Sequence, residues 1–386
     1  MEQIAFVYEQ TLIYWSSIII ALSVGAGVCL FWSFQMAHDE GSASTALAIP
    51  LAVALSLLLG RLVHWSCRPE CYANLYHAMT DYSSGEYALC GAFFGCLLTA
   101  VLLRLTGLCK NLPRMLDHMS LAGCAAIALG RLAPLFNAAD RGQLLPQNLG
   151  FPLGYSVYNT VTGQTEWRLA TFALQSIAAG ALFVLLLALF CCALRGLRMR
   201  SGDLTALFLL YYCACQVLLD STRNDSLYIR SNGFVSLAQI LCAAAIVGVL
   251  IWLSVRQVLA TRWKPWYPAI YLTLAAAVGF AGYMEYYVQR HGKLAAQTYR
   301  NMGLALALML AVATWQYIDT MRHLGPVWLP AQPLRVPESL EEDAGEQITI
   351  EEFLAALPPE SVHEEPLPGQ LTIADLLPNT QDSAWQ

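Results

Sequence analysis

Nine apolar runs, near residues 12–36, 44–66, 87–108, 119–137, 168–196, 203–222, 233–259, 266–288 and 300–320, dominate this chain. Each is close to the roughly 20 residues that an α-helix needs to cross a hydrocarbon core. No other feature restricts the fold as strongly, because a segment in lipid must satisfy its backbone hydrogen bonds within itself or in a closed barrel. The runs lack the period-two alternation of barrel strands, which come in segments of about 10 residues. The chain therefore reads as an all-α, polytopic integral membrane protein with nine transmembrane helices. Composition agrees: 57% of the 386 residues are hydrophobic and 12% are charged, against about 25% charged in a soluble domain. No nucleic-acid partner is expected of it.

Charge divides the chain in two. The segment after Gly325 carries twelve acidic residues and one arginine, which leaves the body at +5 within a whole-chain charge of −6. We expect residues 1–325 to form the membrane domain and residues 326–386 to be a disordered, Pro- and Glu-rich cytoplasmic tail. In the tail "GEQITIEEFLAALPPE" and "PGQLTIADLLPNT" each hold a Thr followed three residues later by Glu352 or Asp375, the capping-box spacing, and then a short apolar face. These motifs are open to two readings, helices that form on a cytoplasmic partner or local helicity without one. No Lys or Arg precedes Arg61, while Arg104, Lys110 and Arg114, then Arg195, Arg198 and Arg200, then Arg256, Arg262 and Lys264 follow the third, fifth and seventh runs. The positive-inside rule puts those three loops in the cytoplasm, the N-terminus outside and the tail inside.

Twelve cysteines raise the question of disulfides or metal, yet most lie within the apolar runs, where Cys behaves as a small hydrophobe. No zinc-ligand spacing emerges, so neither metal nor cofactor is expected. "CRPEC", with Cys67 and Cys71, reads either as a disulfide or as two thiols.

Ionisable residues inside or at the end of a span are expensive and point to function. "LGRLAPLFNAADRG" (129–142) ends the fourth run with Arg131, Asn137, Asp140, Arg141 and Gly142. "CQVLLDSTRND" ends the sixth, with Gln216, Asp220 and Arg223 at i, i+4 and i+7 of one helical face. Arg61, His64, Arg68, Glu70 and His77 surround the end of the second. All three clusters fall on the expected outer side. Arg131 reads either as the bidentate partner of a phosphate or as an arginine reaching for the headgroups. Three polar groups at one end make a single outward-facing site between the third, fourth and sixth spans the expectation.

The run "SSGEYALCGAFFG", then "LGRLAPLFNAADRG", "EWRLATFALQ" read as a helix, "GDLTALFLLYYCACQVLLDSTRND" and "NGFVSLAQIL", resembles prolipoprotein diacylglyceryl transferase over about residues 55–260. The resemblance implies an all-helical enzyme of the bacterial inner membrane that moves the diacylglyceryl group of phosphatidylglycerol onto a lipobox cysteine of a prolipoprotein signal peptide, releasing glycerol phosphate. It maps the family's glycine-arginine signature onto Gly130, Arg131, Asn137 and Gly142, and the family's later arginine-glutamate-arginine helix onto Gln216, Asp220 and Arg223. Cys90 stands where the family has a histidine, Gln216 where it has an arginine, Pro134 where it has an asparagine and Ala139 where it has a glutamate. The last two spans and the tail lie outside the resemblance. The expected roles are catalytic for Arg131, Asp220 and Arg223, and substrate-binding for Gly130, Asn137, Gly142, Gln216, Arg61 and Cys90. The replacements leave a second reading in view, a non-catalytic relative that binds phospholipid and recruits a cytoplasmic partner through its tail.

Overall fold

The computed structural model describes residues 4–8, 11–38, 41–80, 87–137, 142–159, 163–195, 199–223, 225–229, 235–291 and 296–323. The tail with its two helix-forming motifs lies outside the described residues, as do Asp140, Arg141, Arg198, Arg230 and Lys293.

Helices carry the described chain: α1 Trp15–Met36, α2 Ser42–Cys67, the short α3 Leu75–Thr80, α4 Leu89–Leu105, α5 Leu112–Gly130, α6 Thr171–Leu194, α7 Asp203–Asp220, α8 Leu237–Thr261, α9 Tyr267–His291 and α10 Ala296–His323. Eight of them are long and apolar enough to cross a membrane, and α4, at 17 residues, sits at the short end of that range. The nine expected runs all appear as helices. Their outer faces are apolar, as with Val184, Ile251, Leu259 and Leu272, while His118, Gln35, Gln257 and Gln316 are fully buried. That inversion of a soluble protein's plan is what lipid on the outside demands.

Small residues set the closest helix packing. A Cβ added to Gly91 or Gly95 of α4 would meet the α2 backbone at 2.4 Å, at Leu59 O and at Ser56 N respectively. These two helices therefore touch backbone to backbone, as small residues permit in membranes.

Four features depart from the sequence expectation. The segments Ile4–Tyr8 (β1) and Thr11–Tyr14 (β2) pair antiparallel, as do Gly154–Asn159 (β3) and Gln164–Leu169 (β4). The residues "EWRL" are thus strand, and the helix expected from them begins only at Thr171. The fourth span starts at Leu112 rather than near 119, because Asn111 caps it by accepting from the Arg114 N–H at 3.2 Å, and Asp117 and His118 are satisfied inside it. Arg256 is not a loop charge: it is buried in α8 and paired with Asp203 of α7.

This last pair belongs to a clasp at one end of the bundle. Asp117 accepts from the N–H groups of Gly202 (2.6 Å) and Thr205 (2.8 Å) and from the Thr205 hydroxyl (2.8 Å). It thereby caps from α5 the orphan donors that open α7, where negative charge is favoured. Tyr317 of α10 donates to Asp203 at 3.1 Å. Four helices are tied by two buried carboxylates.

Candidate functional site

The opposite end gathers the C-termini of α2, α5 and α7 and the N-termini of α1, α4, α6, α8 and α10. Short connections force this: α2 and α4 are joined by about twenty residues, α7 and α8 by sixteen.

Tyr212, Gln216 and Asp220 lie at i, i+4 and i+8 on α7, and all three are buried. The stripe climbs about 12 Å at 1.5 Å per residue. At its lower end the Arg131 guanidinium, just past the last turn of α5, is near enough to act on the Tyr212 hydroxyl electrostatically. In its middle Gln216 Oε1 accepts from Gln175 Nε2 of α6 at 3.3 Å. At its upper end Asp220 takes the Ser236 hydroxyl on one oxygen and Arg223 Nη1 at 3.5 Å on the other. Arg223 is shared, its Nε donating to Asp225 Oδ1 at 3.1 Å.

Ser236 does three things at once. As N-cap of α8 its hydroxyl accepts from the Gln239 N–H at 3.1 Å, its own N–H is taken by Gln239 Oε1 at 3.1 Å, and its hydroxyl proton goes to Asp220. Gln239 Nε2 adds a bond to Val217 O at 3.2 Å, so the start of α8 holds the end of α7. The S-x-x-Q capping box was visible in "SLAQ".

Gly142 is a wedge. It bridges antiparallel to Arg223 and lies against the junction of β4 and α6, where an added Cβ would meet Leu169 O at 2.2 Å and Thr171 Oγ1 at 2.7 Å. Tyr299 of α10 accepts from Gln143 Nε2 at 2.9 Å and donates to Ser221 O at 3.3 Å, so a span outside the resemblance braces the site. Arg68 reaches across to Asp225 O at 3.3 Å and Ser226 O at 3.4 Å. Tyr228 is part-buried near the same group, and its phenol is pushed up by burial, then by the charges of Asp220 and Glu285.

The structure places Gln216 and Asp220 on α7 and Arg223 just after it, bridges Gly142 to Arg223, and brings Arg131, at the end of α5, near Tyr212 of the same stripe. Arg223 follows the helix rather than lying on its face, because α7 ends at Asp220. Cys90 opens α4 within electrostatic range of Asp220. Gly130 lies against Ser23 of α1, whose hydroxyl oxygen is 3.1 Å from where its Cβ would be. Asn137 follows the turn Ala133–Leu135 and is exposed. Arg61 is buried beside the site, donating from Nε to Ala78 O at 2.6 Å with its guanidinium over Tyr72 (4.8 Å) and Tyr87 (5.3 Å). His64 is buried against the Tyr72 hydroxyl at 2.8 Å, and His77 is exposed on α3. Cys67 carries a free thiol, so the "CRPEC" pair is not bridged. Sequence reasoning missed Gln175, Tyr212 and Ser236; Tyr212 was one turn before Gln216 on the same face.

Between α6 and α7 a cavity of about 270 Å³ has alkyl walls, including Ala178, Leu182 and Leu185, and is entered by Gln175, Tyr212 and Gln216. Fold and site together define a many-spanning membrane protein with arginine and carboxylate groups set at one end of an apolar bundle. The sequence model of the family described as prolipoprotein diacylglyceryl transferase matches residues 3–255, and the chain belongs to that family. The match reaches further toward the N-terminus than the segments quoted above and leaves α9, α10 and the tail beyond it. The chain is 27% identical over 262 residues to a phosphatidylglycerol–prolipoprotein diacylglyceryl transferase of Bacillus cereus, covering 64% of this chain and 88% of that protein. It is 26% identical over 258 residues to the protein of that name from Parasynechococcus marenigrum, covering 63% and 90%.

Proposed function

We propose that this protein transfers the diacylglyceryl group of phosphatidylglycerol to the thiol of a lipobox cysteine in a prolipoprotein signal peptide, in the bacterial plasma membrane. The observation that carries the reading is the buried α7 stripe, with a guanidinium at each end, in a chain of this family. In the reaction the thiolate sulfur bonds to the glyceryl carbon, the carbon–oxygen bond to phosphate breaks, and its electron pair leaves with glycerol phosphate. The substrate supplies the nucleophile, so the protein must hold the phosphate and take a proton. Arg131 is the group we assign to the phosphate, because a guanidinium matches two phosphate oxygens and its charge is aimed where negative charge grows. Asp220 is our candidate for the proton acceptor, with Ser236 and Arg223 orienting it. We assign Gly142 to close backbone packing beside Arg223, and Gly130 to the packing of α5 against the Ser23 side chain of α1. Gln216, Cys90, Arg61 and Asn137 would shape the lipid and peptide entrances.

Localisation follows the same reading: N-terminus outside, site end outward where signal peptides emerge, and tail in the cytoplasm, where its two short motifs would meet a partner. The test is direct. Purified protein incubated with phosphatidylglycerol labelled in its acyl chains and a lipobox peptide should yield a labelled thioether peptide and glycerol phosphate in equal amounts. A Cys→Ser peptide should yield none. Tight lipid binding with no product from the cysteine peptide would instead favour a non-catalytic relative.

A further inference from the structure

A second cavity, of about 400 Å³, lies between α7 and α10, and most of its wall belongs to a helix that the family match does not reach. On α10 it runs from Leu310 to Arg322, twelve residues or about 18 Å at 1.5 Å per residue. That is close to half of a hydrocarbon core of roughly 30 Å, the depth of one leaflet.

The two ends of this cleft differ in chemistry. At the deep end Thr314 donates its hydroxyl to Leu310 O, so the Tyr211 hydroxyl bonded to it must be the donor, and both protons are spent inside the protein. What remains there to meet a guest is the apolar surface of Leu310, Ala311, Trp315 and Ile318. At the clasp end, in the last turns of α10, stand charges of opposite sign. Asp319 accepts from Gln257 Nε2 on Oδ2 at 3.0 Å and has His323 Nδ1 3.4 Å from Oδ1. Arg322 is exposed and makes no ion pair among the described residues. At i and i+3 the two side chains leave the helix about 5–6 Å apart.

An apolar slot one leaflet deep, with one charge of each sign at its polar end, has the shape of a lipid rather than of a water-soluble guest. An anionic headgroup would meet Arg322 but bring a like charge to Asp319. A trimethylammonium has no proton to give a carboxylate oxygen. A phosphate joined through two carbons to a primary ammonium serves both groups, with the guanidinium on phosphate oxygens and the ammonium on the carboxylate. We infer that the cleft between α7 and α10 binds one phospholipid with a primary-amine headgroup, its phosphate on Arg322, its ammonium on Asp319 and an acyl chain along Leu310, Ala311 and Ile318. Such a lipid would sit in the leaflet opposite the Arg131 site and take no part in transfer.

Trp315, on the exposed wall of the cleft, reports occupancy directly. Phosphatidylethanolamine brominated in its acyl chains, added to the purified full-length protein in detergent, should quench tryptophan fluorescence more in wild type than in Trp315→Phe, and that difference measures the bound lipid. Unbrominated phosphatidylethanolamine should displace it at about three- to tenfold lower concentration than phosphatidylglycerol or phosphatidylcholine, the range expected of a charged contact open to water. Asp319→Asn, whose amide oxygen can still accept from Gln257, should bring the ethanolamine and glycerol lipids to parity. Arg322→Gln alters only an exposed group and should weaken both while keeping their order. Equal quenching of wild type and Trp315→Phe, equal displacement by the three lipids, or a preference that survives Asp319→Asn would each overturn the inference.

Discussion

Gly142→Ala tests the architecture of the site at its tightest point. An added methyl would sit 2.2 Å from Leu169 O, 2.9 Å from Leu169 C and 2.7 Å from Thr171 Oγ1. Two of these are backbone atoms, and the third belongs to a side chain held by Thr222 at 3.0 Å, so nothing nearby can turn away. Relief requires separating Gly142 from the β4–α6 junction by more than 1 Å, which also pulls on its bridge to Arg223. Overpacking of a well-packed site costs about 1–3 kcal/mol, and a contact this short, made to backbone, belongs at the upper end. Gly130→Ala is the internal control: its nearest neighbour, at 3.1 Å, is the Ser23 hydroxyl, a side-chain tip that can rotate. We expect Gly142→Ala to lower the thermal midpoint in detergent by several degrees and transfer activity by at least tenfold, and Gly130→Ala to change both only slightly. Equal, small effects of the two substitutions would refute the steric argument.

Other perturbations read separate parts of the structure. Arg256→Ala leaves Asp203 buried without its cation and should destabilise by about 3–5 kcal/mol, whereas Arg256→Ala combined with Asp203→Asn should recover much of the loss; melting curves of the single and double variants decide it. Ser236→Ala removes both the α8 cap and the hydroxyl on Asp220 and should cost about 1–2 kcal/mol of stability, with kcat falling more than KM rises if Asp220 takes the proton. Truncation near residue 330 should leave membrane insertion and lipid transfer intact, which membrane fractionation and the peptide assay would show.

The sequence made the helices legible because nine apolar runs of spanning length have few alternatives in lipid. It also made the α7 stripe partly legible, since Gln216 and Asp220 interrupt an apolar run at helical spacing. It concealed whatever depended on a partner from a distant segment. Asp117 and His118 looked like loop residues because their charge and polarity are satisfied by Gly202, Thr205 and Gln35, from other helices. Arg256 looked like a cytoplasmic anchor for the same reason, its partner Asp203 lying 53 positions away. The β3–β4 hairpin went unseen because "GYSVYNTVTGQTEWRL" lies between two spans and, among the described residues, its strands pair with each other and with the 142–145 segment. Tyr299 shows that α10, beyond the family match, still braces the site through Gln143 and Ser221.

Arg131 is where the account is most exposed. A guanidinium that clamps a phosphate loses its fork when replaced by Lys, although the charge remains, and a charged hydrogen bond is worth about 1.5–3 kcal/mol. Diacylglyceryl transfer from phosphatidylglycerol to a lipobox peptide should therefore fall roughly ten- to hundredfold in Arg131→Lys and by at least as much in Arg131→Ala, with both proteins folded by their melting curves. If Arg131→Lys transfers at the wild-type rate, the arginine only reaches for the headgroups and the phosphate site lies elsewhere.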